Sequence, residues 1–223
     1  MEINDDDNRS STPEARNAQA PEGSPNAPGQ EKKTSAASEL FDYVDIFVFS
    51  VCAVILMFTF VIRLCSVDGP SMEQTLHDKE ILLVSDLNYT PKQGDIIVFH
   101  QTGSQNPDHN KPIVKRVIAT AGKYVRIDYD MGLVYVSDDE VFDTTDLLDE
   151  SDYIYLSSGR WNMTGVYETY VPEGYLFVLG DNRNNSLDSR FSEIGLLDQR
   201  RVFGKVLIRL FPLSKAGSVY SDK

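Results

Sequence analysis

Three short segments hold the side chains able to do chemistry. In Val67-Asp68-Gly69-Pro70-Ser71-Met72-Glu73-Gln74-Thr75-Leu76 a serine sits in a Gly-Pro turn directly after an apolar run. Such a turn can present the hydroxyl openly, with backbone N–H groups nearby to receive an oxyanion; Gly-Pro-Ser is also an ordinary turn sequence. In Pro112-Ile113-Val114-Lys115-Arg116-Val117-Ile118, strand alternation puts Ile113, Lys115 and Val117 on one face and Val114, Arg116 and Ile118 on the other. One of the two neighbouring cations is therefore expected to point inward. An ammonium pressed into apolar surroundings loses hydration, its pKa falls, and it becomes a base near neutral pH. On an edge strand the same lysine would snorkel to water. The third segment, Gly180-Asp181-Asn182-Arg183-Asn184-Asn185-Ser186-Leu187-Asp188-Ser189-Arg190, packs acids, arginines and a hydroxyl into one turn-rich loop. Such a loop can aim a lysine while its own Asp–Arg pairs hold it rigid.

Two kinds of element must position these groups. Val44–Ile62 is nineteen residues with one charge, Asp45, near its edge, long enough for one helix across a hydrocarbon core. A membrane helix is expected over 44–64, and Arg63 could snorkel at its end. Residues 1–43 carry no aromatic side chain before Phe41 and are rich in Ser, Pro, Asn, Gly and acids, so they are expected to be disordered. Lys32 and Lys33 on one side of the span nearly balance Arg63 and Lys79 on the other, so charge does not orient it. Beyond residue 65 the pattern is of short β-branched and aromatic runs: Glu80–Ser85, Asp95–His100, Ile113–Ala119, Tyr124–Asp128, Leu133–Ser137, Tyr175–Gly180 and Val202–Leu210. The expected fold of 65–223 is mainly β, in curved antiparallel sheets without βαβ units.

Composition adds exclusions. A net charge of −13 argues against a nucleic-acid partner. Cys52 and Cys65 would stand roughly 20 Å apart on a helix, beyond disulfide reach. Asp138–Asp152 holds eight acids and no Lys or Arg, without the spacing of a calcium loop, and reads as a solvated acidic insertion.

Taken together, the segments resemble the bacterial type I signal peptidases. The serine box reads G-P-S-M-E-Q-T-L and is followed by G-D-I-I-V-F at Gly94–Phe99. The lysine box is K-R-V-I-A at Lys115–Ala119, and the last box is G-D-N-R-N-N-S-L-D-S-R. The resemblance runs from about residue 41 to Leu210. It implies a membrane-bound serine endopeptidase that removes signal peptides from exported precursors, with Ser71 as nucleophile, Lys115 as general base, and no metal or cofactor. The Ser71 N–H would serve the oxyanion hole, and Gly69 stands where some members carry a hydroxyl donor. Ser186 would hydrogen-bond the lysine amine, with Asp181, Asp188 and Arg190 as an ionic framework. Val67, Met72, Leu76, Ile113 and Val114 match positions lining shallow pockets for small side chains at P1 and P3, as in Ala-x-Ala. The partners so implied are precursor proteins, the lipid bilayer and the export translocase, with the amino terminus cytoplasmic and the β domain outside. Gln74 departs from the Pro of S-M-x-P-T, A-T-A-G-K replaces G-x-P-G-D, and F-S-E-I-G is one residue longer than the common spacing.

Other classes make different demands. A Ser–His–Asp hydrolase would have to draw on His77, His100 or His109, of which His100 ends a strand run and His109 lies in a polar turn. The self-cleaving repressors share Ser–Lys logic but are soluble and carry a DNA-reading helical domain. A membrane-anchored binding module would need neither Ser71 nor Lys115.

Overall fold

The computed structural model describes residues 36–101, 111–156 and 160–220. The disorder expected of residues 1–35 and the position of His109 lie outside them. By its contacts the chain divides at Asp45, into a unit up to that residue and a unit from Ile46 to Lys223.

Helix α1 spans Ala36–Phe60. Within it Glu39–Thr59 is 21 residues long and apolar enough to cross a membrane, about 31 Å at 1.5 Å per residue. Its large apolar side chains, Phe41, Ile46, Phe49 and Ile55 among them, are exposed. Both ends differ from expectation. The helix begins at Ala36, inside the stretch read as disordered, and stops at Phe60 rather than 64. Arg63–Ser66 forms strand β1, because its backbone groups find a ladder with β2 (Ile81–Ser85), from Arg63 opposite Val84 to Ser66 opposite Ile81. The Ser85 hydroxyl donates to the Val61 carbonyl at 2.7 Å and fixes the chain where helix gives way to strand. Cys52 and Cys65 are free thiols.

The remaining strands are β3 (Ile96–His100), β4 (Pro112–Ala119), β5 (Tyr124–Asp128), β6 (Leu133–Ser137), β7 (Val166–Tyr170), β8 (Tyr175–Leu179), β9 (Leu197–Asp198) and β10 (Val202–Phe211). Seven form one antiparallel sheet in the order β1-β2-β10-β3-β4-β8-β9, and β6-β5-β7 form a second. Register shifts in β10 and in the β4–β8 pair curve the large sheet. The mainly β, antiparallel architecture agrees with expectation. β7 and β9 had not been foreseen, since VYETY offers no fully buried face and LD is two residues long.

β4 is the strand on which the site depends. It lies between β3 and β8, and apolar side chains cover both its faces. Val114 packs with Leu82, Val84, Ile96, Val98 and Val206. Val117 packs with Ile97, Phe99 and Val178 instead, and Ile118 joins Phe177 and Leu179 in a third cluster with Val125 and Ile127 of the small sheet. Lys115 and Arg116 are therefore both buried, where alternation had led us to expect one inward cation. A strand covered on two sides has no solvent face to which the second could turn.

Candidate active site

The serine turn is pinned from below. Gly69, at φ +92°, takes the left-handed conformation that a residue with a Cβ resists, and its N–H donates to Asp78 Oδ1 at 2.9 Å. Met72 and Leu76, 1% and 0% exposed, anchor the segment in the core. Between these fixed points Ser71 is half-buried and faces β4. Lys115 Nζ donates to Ser71 Oγ at 2.7 Å and to the Val114 carbonyl at 3.0 Å. Lys115 is 2% exposed. Burial drives its pKa down to about 8, a fall that Asp188 and Asp181 oppose and Arg190 reinforces.

Neither aspartate binds the lysine, because each is already held by an arginine. Arg116 grips Asp181 through Nε at 2.8 Å and a terminal nitrogen at 2.7 Å, and Thr75 Oγ1 donates to the same carboxylate at 2.5 Å. Arg190 grips Asp188 in the same two-pronged way at 2.7 and 2.8 Å, and the Gly180 N–H donates to Asp188 at 3.1 Å. Forked pairs of this kind fix orientation as well as charge. Arg190 also donates to the Arg183 carbonyl at 2.8 Å. The Trp161 ring lies 5.3 Å from the guanidinium carbons of both Arg183 and Arg190.

The loop after β8 is clasped to the serine turn through Asn182. Its backbone N–H donates to the Ser71 carbonyl and its side-chain amide to the Pro70 carbonyl, both at 3.1 Å. Gly180 makes this approach possible. A Cβ there would stand 2.4 Å from the Ser71 carbonyl oxygen and 2.2 Å from Ser186 Oγ, well inside van der Waals contact.

The structure thus brings Ser71, Lys115, Asp181, Ser186, Asp188 and Arg190 into one cluster, with one correction. The hydrogen bond expected from Ser186 to the lysine amine is not formed: Ser186 Oγ is buried without a partner among the described residues, and the amine turns to Ser71 and Val114. The Gly69 N–H is bonded to Asp78, so Gly69 supports the turn, and it brings no side-chain donor of its own. Val67, Met72, Leu76 and Val114 share one core cluster, whereas Ile113 packs against another on the opposite face of β4. Of the histidines, His77 sits 3.5 Å from Glu80 and His100 lies edge-on to Phe203.

Several members of the cluster were not foreseen. Thr75, Asn182, Trp161 and Glu150 act through partners far away in sequence. Arg116 and Arg183 were visible as cations beside Lys115 and in the last box, but their distant partners Asp181 and Glu150 were not. Glu150 corrects the reading of 138–152 as wholly solvated: it is 7% exposed and bonded to Arg183 through both carboxylate oxygens. Chemically, a hydroxyl at hydrogen-bond distance from a dry amine of lowered pKa is an activated nucleophile suited to acyl transfer.

Comparison with known proteins shows which family the chain resembles. The sequence profile of the family described as "Signal peptidase, peptidase S26" matches residues 40–211. A signal peptidase I of Bacillus licheniformis is 32% identical over 197 residues, covering 83% of this chain and 96% of the relative. A probable signal peptidase I-1 of Synechocystis sp. is 35% identical over 161 residues, covering 70% of this chain and 74% of the relative. A crystal structure of a signal peptidase I from Enterococcus faecalis V583 covers 52% of this chain and 97% of its own, at 28% identity and a TM-score of 0.36.

Gly180→Ala should force the serine turn and the following loop apart. We expect a stability loss of about 1–3 kcal/mol, the usual cost of overpacking, and slower acylation of Ser71 by a peptide ester. Melting curves and single-turnover acylation measure the two effects; an alanine variant that acylates at the wild-type rate would refute the tight-approach argument.

Proposed function

The chain belongs to the signal peptidase family, peptidase S26, and from that premise we propose that it is a membrane-anchored serine endopeptidase that removes signal peptides from exported precursors with Ser71 and Lys115 as its catalytic pair. The observation that supports this most directly is the 2.7 Å contact between Lys115 Nζ and Ser71 Oγ at an amine that is 2% exposed. Only the neutral amine can act. It takes the Ser71 proton as Oγ attacks the scissile carbonyl, and the resulting ammonium returns that proton to the leaving amine. An acyl ester on Ser71 remains, and water attacks it with Lys115 again as base. The Ser71 N–H, which donates to no acceptor among the described residues, would receive the oxyanion.

The substrate is read by apolar walls. Val67, Met72, Leu76 and Val114, between 0% and 6% exposed, are locked in the core and cannot draw back for a large P1 side chain. With Ile113 they offer no charge to pair, so small side chains at P1 and P3 are favoured. The helix anchors the domain beside membrane-spanning substrates and the export translocase. The family resemblance, rather than the nearly even charge count, supports an amino terminus in the cytoplasm and a β domain outside.

Ser71→Ala, Lys115→Ala and Lys115→Arg should each remove activity by about 10⁴-fold or more, and pairing the changes should add little, since the groups act as a unit. Arginine fails because a guanidinium keeps its proton at working pH. In the wild type kcat/KM should rise with pH through a limb near 8, following loss of the proton from Lys115. Substantial activity in any of the three variants, or a limb near ~6.5 that disappears with His77, His100 or His109, would overturn the dyad. Precursors with Ala at P1 should be cut about a hundredfold faster than those with Phe or Lys; mass-spectrometric rates that are equal would remove the pocket assignment. Protease added to intact cells should degrade the β domain and spare an amino-terminal tag, and the reverse pattern would invert the topology.

A further inference from the structure

The acidic stretch between β6 and β7 returns to the site and docks on it at several points. Glu150 binds Arg183 through both oxygens, at 3.0 Å for one of them. The Tyr153 hydroxyl donates to Glu150 at 3.1 Å, and the Tyr153 ring lies 3.9 Å below the Arg116 guanidinium, the same guanidinium that holds Asp181. The Tyr155 N–H donates to the Asp181 carbonyl at 3.0 Å and its carbonyl accepts from the Arg183 N–H at 3.2 Å. Arg183 is the hub. Its side chain is fully buried, and Nε donates to the Gly180 carbonyl at 3.0 Å. Gly180 is the residue whose close approach sets the distance between the loop and Ser71.

A buried guanidinium needs a counter-charge, and Glu150 is the carboxylate bonded to this one. We propose that Glu150 is a positioning residue for the Ser71–Lys115 pair, acting through Arg183 on Gly180. The proposal rests on the catalytic reading of that pair. Without the carboxylate, Arg183 must turn toward water or shift. Its bond to Gly180 then loosens, and with it the dry packing around Lys115. The amine is faced by Asp188, Asp181 and Arg190 and bonded to Ser71, so none of its direct partners changes. What changes is its exclusion from water, the largest of the influences that hold its pKa down.

Glu150→Gln keeps the shape and removes the charge. Assayed below its melting transition, with active enzyme counted by titration, it should show kcat about tenfold lower, KM within about twofold of wild type, and a basic limb moved to higher pH as Lys115 is rehydrated. A role confined to fold stability would lower the melting temperature and leave both the limb and kcat per folded molecule unchanged; failure of either to move overturns the proposal. Glu150→Met combined with Arg183→Met separates charge neutralisation from positioning. It should melt nearer to wild type than Glu150→Gln while kcat stays low, because the Nε contact to Gly180 is gone. Recovery of kcat along with stability would also overturn the proposal. Lys115→Ala is the control: activity in that variant, or a wild type lacking the limb near pH 8, would instead refute the dyad itself.

Discussion

Everything around the site answers to one constraint: an amine must stay dry without acquiring a carboxylate partner. Lys115 titrates near 8 in the folded chain against an ordinary 10.5. Between those values the unfolded chain holds a proton that the folded chain has released, so stability climbs with pH across that window. Below about 8 both states are protonated and the fold bears the whole cost, on the order of 3 kcal/mol. One salt bridge would remove the cost and, on the proposed mechanism, the base with it. Asp181 and Asp188 lie close enough to act on Lys115 electrostatically, and both are withheld from it by arginines that satisfy their oxygens first.

This gives the buried ion pairs a meaning that a stability count would miss. Replacing such pairs with apolar side chains is often neutral or favourable for stability. Here Arg116–Asp181, Arg190–Asp188 and Arg183–Glu150 each hold a residue of the same loop. Asp188 holds the Gly180 N–H while Arg183 holds its carbonyl, so both hydrogen-bonding groups of that glycine's backbone are tied to the network. The serine turn carries one exposed ion pair, Asp68 with Lys111 at 2.8 Å, and is held by buried groups as well. Met72 and Leu76 root it in the core, and Asn182 clasps its two carbonyls.

What was legible in the sequence follows from how local each signal is. The helix was visible because nineteen nearly uncharged residues admit few other fates, and most strands because β-branched runs between turn residues carry their own pattern. Ser71, Lys115 and the Asp181–Arg190 loop were visible as contiguous boxes. Glu150 was hidden among seven other acids in the same stretch, and only its contact with Arg183, 33 residues away, distinguishes it. Asn182 was quoted within a motif without a role, because its task depends on a turn more than a hundred residues earlier. The burial of both cations on β4 could not be read from alternation, which assigns faces but does not say how many of them are covered. The helix start was missed for a related reason: Ala36–Tyr43 has no continuous apolar run, yet continues the helix begun by its neighbours.

Trp161 is the chain's single tryptophan, and its ring lies 5.3 Å from the guanidinium carbons of both Arg183 and Arg190, with Tyr129 edge-on at 5.4 Å. Both arginines belong to the loop that holds Gly180 and Asp188 in place. Indole emission depends on nearby charge and on access to water, so the unmodified protein contains an optical reporter of that loop. Its fluorescence belongs to one known position, and disturbance of the two neighbouring arginines would alter it.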